Sequence, residues 1–384
     1  MGGFRVTDRD RAVRITGMGW TTALGDGLDE VWQHLGDGRS GIRPLPDDGP
    51  LPAPAAALLT DDGQDRTPTR RQVRLAVTTA SAALRDAGCP AGDVDALVLG
   101  SSLGPHLDDA AETPPHALTA AVARQLGVAR SVSVSTACSS GADAVLTGAA
   151  LLTRGEAERC LCGGIDLLTA GKLLGHQALG TLSASGTVRP FDTGRDGTLF
   201  GEGAGFLLLE TPAAAAARGA RVLAELAGWG ASNDGTGPTA PDETGAGAVL
   251  AVRHALARAG AGPGDIAVVN AHGTGTRAND TAEAACYGTV FGTAPHPVVF
   301  ATKPALGHTL GATGALEAIA LLLALRHGSV PPVLNTRAVM PELTVPLAAG
   351  AGRQVTGSLG ISLTLGFGGF NTCLVLAAPE GSTA

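Results

Sequence analysis

The order of chemical patterns along this chain occurs twice, and a chain that repeats its own order is built from two matching halves. In the first half, a short β-branched run from Val132 to Thr136 leads through Cys138-Ser-Ser-Gly141 into an Ala/Leu-rich helix pattern that ends near Thr153. In the second half, an apolar run from Val298 to Thr302 leads through Lys303 and Gly307-His308 into an apolar helix pattern from Gly311 to Leu325. Each half closes on a glycine-rich turn followed by an apolar strand, Gly201–Glu210 and Leu365–Leu376. The divide falls near residue 215, where no long flexible stretch intervenes. The expectation is one compact body with halves 1–215 and 216–384, two stacked helix–sheet layers sharing one core.

Further strands are expected at Ala12–Thr16, ended by Gly17-Met-Gly19, and at Asp95–Gly100, Cys160–Gly164, Val222–Trp229 and Ile266–Asn270. Helices are expected at Gly25–Gly36, at Arg70–Ala87 with Gly88 closing it, at Pro114–Leu126 and at Gly245–Ala259. Hydrophobic residues make up 44% of the 384 and charged ones 16%, enough for a large core. With 56 glycines and 3% aromatics, that core must rely on close backbone approach rather than on rings.

The formal net charge of −8 argues against a general nucleic-acid binder, and an acidic partner would need a local basic patch. The six cysteines lack zinc-like spacing, and Cys160-Leu-Cys162 reads as core packing. No apolar leader follows Arg5 and Arg9, and the apolar run Leu316–Leu325 contains Glu317 and is too short to span a bilayer. A soluble, reducing, cytoplasmic setting is expected.

Four polar groups stand where buried strands end: Cys138, His272, Lys303 and His308. Strand ends of α/β layers are where sites form. At a helix N-terminus Cys138 would be biased toward thiolate, and the unpaired N–H groups there would hold an oxyanion. The same residue also reads as a small cysteine packing a strand end. His272 and His308 lie among glycines that permit close approach to a ligand, although a single histidine at such a place is commonly a satisfied core residue. Lys303 reads either as an ordinary surface lysine or, after an apolar strand and before Pro304, as one buried beside a partner. Cysteine with histidine is the minimum for covalent acyl transfer.

Thr136-Ala-Cys138-Ser-Ser-Gly, Asn270-Ala-His272-Gly-Thr-Gly-Thr, Lys303-Pro-Ala-Leu-Gly-His308 running on to Glu317, and Gly366-Phe367-Gly-Gly occur in this order. Together they resemble the β-ketoacyl-acyl carrier protein synthases, the decarboxylating condensing enzymes of fatty acid and polyketide synthesis. The likeness runs from Ile15 to the final strand. It implies the thiolase fold, a duplicated α/β five-layer sandwich, usually dimeric, that requires no metal or nucleotide. It also implies that Cys138 takes an acyl chain from an acyl carrier protein as a thioester. By the same resemblance, His272 and His308 assist decarboxylation of a malonyl extender, Lys303 orients the His308 region, and Glu317 supports it from the helix. The N–H groups of Cys138 and Phe367 match the oxyanion hole, and Phe367 with Gly368 matches the gate. Arg66, Arg70, Arg71 and Arg74 match a basic carrier-docking segment.

Three departures from the family pattern stand out. The stretch from Gly100 to Thr136 is shorter than in the fatty acid enzymes, so a related, chain-length-factor-like subunit is expected to complete the acyl tunnel. Leu363 and Phe370 replace the usual Asn and Thr near the last glycine turn. Asn270 stands where modular polyketide enzymes carry Glu, which suggests a free-standing enzyme. A stand-alone elongating ketosynthase is the leading reading. An acyltransferase or decarboxylase of the same fold without condensation is an alternative, as is a non-catalytic partner subunit, against which the retained Cys138 argues.

Overall fold

The computed structural model describes residues 12–46, 49–60, 67–103, 116–292 and 297–379. The strands of its main sheet are β1 (Val13–Thr21), β2 (Ala96–Gly100), β3 (Ser131–Val134), β4 (Arg159–Asp166) and β5 (Gly203–Glu210), then β6 (Ala224–Asn233), β7 (Ile266–Asn270), β8 (Val298–Phe300), β9 (Leu359–Gly366) and β10 (Phe370–Ala377). They form a ten-stranded ladder in the order β8-β7-β9-β10-β6-β1-β5-β4-β2-β3. Outward from the central seam, the first half runs β1-β5-β4-β2-β3 and the second β6-β10-β9-β7-β8, the same order with five added to each number. In both halves the three outer strands are parallel and the inner two antiparallel. The seam itself is short: Val13–Ile15 pair with Leu226–Ala224.

The helices are α1 (Leu28–Gly36), α2 (Pro68–Ala87), α3 (Ala117–Leu126), α4 (Ser140–Thr153), α5 (Ala170–Ala178), α6 (Pro212–Ala217), α7 (Ala246–Ala259), α8 (Arg277–Phe291), α9 (Lys303–Leu306) and α10 (Thr313–His327). Thr67 caps α2 by accepting from Arg70 N–H, and Gly88 ends it in the left-handed conformation. Helices α2 and α3 cover the outer face of the first half, and α7 with α8 that of the second. Between the sheets lie α4 and α10, which touch each other and strands of both halves. This is the five-layer α/β sandwich of the thiolase fold.

Close approach in the middle layer depends on glycine. A Cβ at Gly141 would lie 2.8 Å from Gly311 O, and one at Gly314 would lie 2.5 Å from Ala142 Cβ, so the two helix starts cross backbone to backbone. Both helices are entered through a single 3₁₀ turn, Ala137–Ser139 and Leu310–Ala312. Each turn opens on a non-glycine residue at positive φ, 52° at Ala137 and 50° at Leu310. The segment Leu310–His327 is 18 residues long and apolar enough to cross a membrane by length and composition, longer than its apolar run suggests. It is 89% buried inside the fold and serves as the core helix.

Two strands differ from their sequence pattern. β1 does not stop at Gly17-Met18-Gly19 but runs on to Thr21, with a bulge between Ile15 and Gly17. A Cβ at Gly17 would sit 2.4 Å from Ala83 O, so these glycines let α2 lie on the strand rather than turn the chain. β3 is not a buried strand. It is the terminal strand of the ladder, with Ser131 and Ser133 exposed and Val132 and Val134 half-buried. Helices α5 and α8 have no counterpart in the sequence reading.

Candidate active site

The turn after β3 is pinned from several sides. Asp143 on α4 accepts from Thr136 Oγ1 (2.6 Å), Ser139 Oγ (2.8 Å) and Thr372 Oγ1 (2.5 Å), while Ser140 Oγ donates to Ala137 O (2.6 Å). Cys138, 5% exposed, is thereby held at the start of the middle layer. The tight turn between β9 and β10 approaches it: a Cβ at Gly366 would lie 3.0 Å from Thr136 O, and Phe367 N–H donates to the Cys138 sulfur. Gly368 does not add a second donor, because its N–H is committed to Pro238 O (2.7 Å). With φ at 84° and 74°, Gly368 and Gly369 serve as the bend that presents Phe367. Leu363 is buried in the core, and Phe370 is 36% exposed.

Burial outweighs the helix terminus at the thiol. The Cys138 pKa is pushed up to about 11 by desolvation, against the opposing pull of the Lys303 ammonium and the Phe367 N–H. The resting group is therefore a thiol, contrary to the thiolate expected from its position alone. Alkylation of Cys138 followed by peptide mass spectrometry is expected to quicken steadily with rising pH, without a plateau near neutrality. A plateau below pH 8 would refute the assignment.

The second half brings in two histidines. His272 follows β7, and its loop is gripped by Glu283 of α8, which accepts from His272 N (2.8 Å) and Gly273 N (2.6 Å). Asn279 and Tyr287 also donate to that carboxylate (2.7 Å each). Lys303, at the start of α9, donates to His272 Nδ1 (3.1 Å), to His272 O, and to Glu317 Oε1 of α10 (2.6 Å). All three ammonium hydrogens are thus used, and the lysine serves His272. Its hydrogen bonds go to His272 and Glu317, while its charge still acts on His308. Burial raises the Glu317 carboxyl to about 7, with Lys303 opposing the rise.

His308 is oriented differently. Leu310 N–H donates to its Nδ1 (3.2 Å), with Thr313 Oγ1 at 3.0 Å, and the positive φ of Leu310 belongs to the turn that aims this donor. Both histidines accept at Nδ1 and therefore carry their proton on Nε2. Burial, reinforced by Lys303, holds both well below the usual histidine pKa, so each is a neutral donor. Their rings meet edge to face with centroids 5.2 Å apart.

Cys138, His272, His308 and Phe367 line one cavity of about 360 Å³, while Lys303 and Glu317 lie buried behind it. His176 and the exposed Arg277 also line this cavity. The sequence reading missed both, as it missed Asp143, Glu283 and Asn279. The first two sit on α5 and α8, helices with no counterpart among the expected elements. The basic segment at the start of α2 is divided in its roles. Arg70 is exposed, whereas Arg71 turns inward to the buried Glu202 (2.9 Å) and Leu59 O (3.2 Å), so a docking role for Arg71 is set aside. Arg66 lies outside the described residues.

A duplicated core of this topology, with a cysteine and two neutral histidines around one cavity, defines a condensing enzyme of the thiolase fold. Residues 10–215 match the family description "Beta-ketoacyl synthase, N-terminal domain", and residues 223–337 match "Beta-ketoacyl synthase, C-terminal domain". The 3-oxoacyl-[acyl-carrier-protein] synthase 2 of Mycobacterium tuberculosis (strain ATCC 25618 / H37Rv) is 35% identical over 94% of this chain and 96% of its own. Nodulation protein E of Rhizobium meliloti (strain 1021) is 35% identical over 95% of this chain and 98% of its own. Among solved structures, the ishigamide ketosynthase/chain length factor superposes with a TM-score of 0.87 at 33% identity, covering 96% of this chain and 99% of that one. A beta-ketoacyl synthase from Burkholderia phymatum STM815 gives 0.86 at 32% identity, covering 96% and 100%. The chain belongs to the β-ketoacyl synthase family and is a ketosynthase, an acyltransferase of fatty acid or polyketide extension.

Proposed function

We propose that this chain joins a malonyl unit, carried on an acyl carrier protein, to an acyl chain held as a thioester on Cys138. The observation that carries this reading is the pair of neutral Nε2–H donors, His272 and His308, sharing one cavity with the Cys138 thiol. In the first step the Cys138 sulfur attacks the incoming thioester carbonyl, and the carrier thiol leaves with the proton that Cys138 gives up. The N–H groups of Cys138 and Phe367 face the developing oxyanion. In the second, the bond from the malonyl methylene to its carboxylate breaks and CO₂ departs. The electron pair passes into an enolate whose oxygen accepts from the two Nε2–H groups. That carbon then attacks the Cys138 thioester, the sulfur leaves and regains a proton, and a β-ketoacyl chain remains on the carrier. Incubation with acyl- and malonyl-carrier protein should yield a carrier-bound β-ketoacyl chain together with CO₂. CO₂ release without chain growth would leave a decarboxylase instead.

The carrier is read as docking through positive charge near the cavity, since the chain itself is net acidic. Arg277 lines the cavity, and Arg70 and Arg74 add positive charge at the start of α2. Arg70→Glu combined with Arg74→Glu is expected to raise the apparent KM for carrier-bound substrate by roughly 5- to 20-fold, the scale of two charge pairs at the protein surface. Small thioester mimics should be spared, and equal loss with both substrates would remove the docking role.

The working unit is read as two halves, 1–215 and 216–384, in one cytoplasmic protein that pairs with a second copy or with a related chain-length-factor-like subunit. The terminal strand β3, with alternate side chains exposed, supports such pairing.

A further inference from the structure

Five aromatic rings border the cavity in a continuous row. His272 meets His308, His308 lies against Phe200 (5.6 Å between centroids), Phe200 against His176 (4.3 Å), and His176 against Phe367 (5.5 Å). The condensation just described has no task for the third histidine. His176 projects from α5, with its Nδ1 against the Thr181 hydroxyl. The Thr181 hydroxyl, 3.1 Å from His176 O and 3.2 Å from Nδ1, satisfies both atoms at once when it donates to the carbonyl and accepts from Nδ1–H. The proton is therefore on Nδ1, the opposite tautomer to that of His272 and His308. Nε2 is left as a lone-pair acceptor with no partner among the described residues. Burial, with the Lys172 ammonium adding to it, lowers the His176 pKa to about 4, so the ring stays neutral at ordinary pH.

Its place fixes what it can meet. Phe367, the ring on one side of His176, belongs to the residue whose N–H touches the Cys138 sulfur. Phe200, on the other side, packs against His308. The rings flanking His176 offer no polar atom, so Nε2 is a lone acceptor set between two apolar faces. His176 and Cys138 line the same cavity, and Phe367 touches the ring of the first and the sulfur of the second.

We propose that His176 is a specificity-determining residue that favours acyl chains bearing a hydroxyl close to the thioester, the 3-hydroxyacyl class, over saturated chains of equal length. A hydroxyl on the chain donates to Nε2 and replaces the water the group loses on loading. A methylene at the same place strips that water and returns nothing. This selection rests on the proposed loading of Cys138, and the test separates the two.

The intact protein is offered equimolar octanoyl and 3-hydroxyoctanoyl pantetheine thioesters, and the two acyl-enzyme masses on Cys138 are compared at early times. The native enzyme is expected to favour the hydroxyacyl chain by about 5- to 30-fold, the range for one hydrogen bond to a half-buried acceptor. His176→Phe should bring the ratio close to one. His176→Gln, whose amide oxygen restores an acceptor, should recover part of the preference, which a merely space-filling role would not show. Equal loading by the native enzyme, or an unchanged ratio in His176→Phe, overturns the proposal. Should His176→Phe fail to fold, an unchanged ratio in His176→Leu overturns it equally. Absence of any acyl-enzyme with either thioester would instead count against the loading of Cys138 itself.

Discussion

Cys138→Ala is expected to abolish acyl-enzyme formation and chain extension completely while malonyl decarboxylation stays measurable. The reason lies in how the cavity is assembled. The sulfur comes from the turn after β3 in the first half, whereas both Nε2–H donors come from loops of the second. His272 is set by Lys303 and Glu283, and His308 by Leu310 and Thr313; none of these contacts involves the sulfur. Removing it also leaves the Asp143 network around the turn without a lost partner. CO₂ release from labelled malonyl-carrier protein by Cys138→Ala checks this directly, and an acyl adduct still formed at residue 138 is chemically excluded.

Lys303→Ala should strongly destabilise the fold. The lysine is 1% exposed, and its removal leaves Glu317, also 1% exposed, without the ammonium that offsets its burial. Breaking one side of a buried ion pair typically costs about 3–5 kcal/mol. His272 Nδ1 loses its donor at the same time, so its tautomer is no longer fixed and decarboxylation should fall as well. The stability loss should carry a pH signature. With Glu317 held near 7 when folded and its ordinary carboxylate value of 4.5 when unfolded, the folded state binds the proton more tightly. Any stability that Glu317 contributes in this way is present below the unfolded value and is lost as pH rises through about 7. In Lys303→Ala, which lacks the opposing ammonium, this loss should extend to higher pH. Adding Glu317→Gln should recover part of the stability but not the decarboxylation rate. Denaturant unfolding of the single and double variants measures the first, and CO₂ release the second.

The strands and the chemistry at their ends were readable because each is a local pattern. β-Branched and apolar runs mark β2, β4, β7 and β8, and the polar residue that follows a run inherits its place at the sheet end. The order of elements in the two halves was visible for the same reason. What escaped depends on packing across the fold. Gly17 and Gly19 look like a turn until α2 is seen lying against them. Val132 and Val134 look buried until β3 proves to be the last strand. Helix α8 hides its character because Asn279, Asp280 and Glu283, polar residues that would normally mark a solvent face, are all buried against the His272 loop. Arg71 shows the same limit, since only the fold reveals Glu202 beneath it. The Cys138 thiol pKa also follows from depth in the fold, which no local motif records.

The central claim is a division of labour across the seam, the thiol for acyl transfer and the histidines for decarboxylation. Its most direct measurement sets His308→Ala beside Cys138→Ala, recording acyl-enzyme mass and CO₂ release for both from the same substrates. The account predicts opposite outcomes: His308→Ala still acylated at Cys138 with decarboxylation reduced by about 10²–10³-fold, the scale for one lost oxyanion donor, and Cys138→Ala unacylated with decarboxylation retained. Parallel loss of both activities in either variant, or normal decarboxylation by His308→Ala, would contradict it.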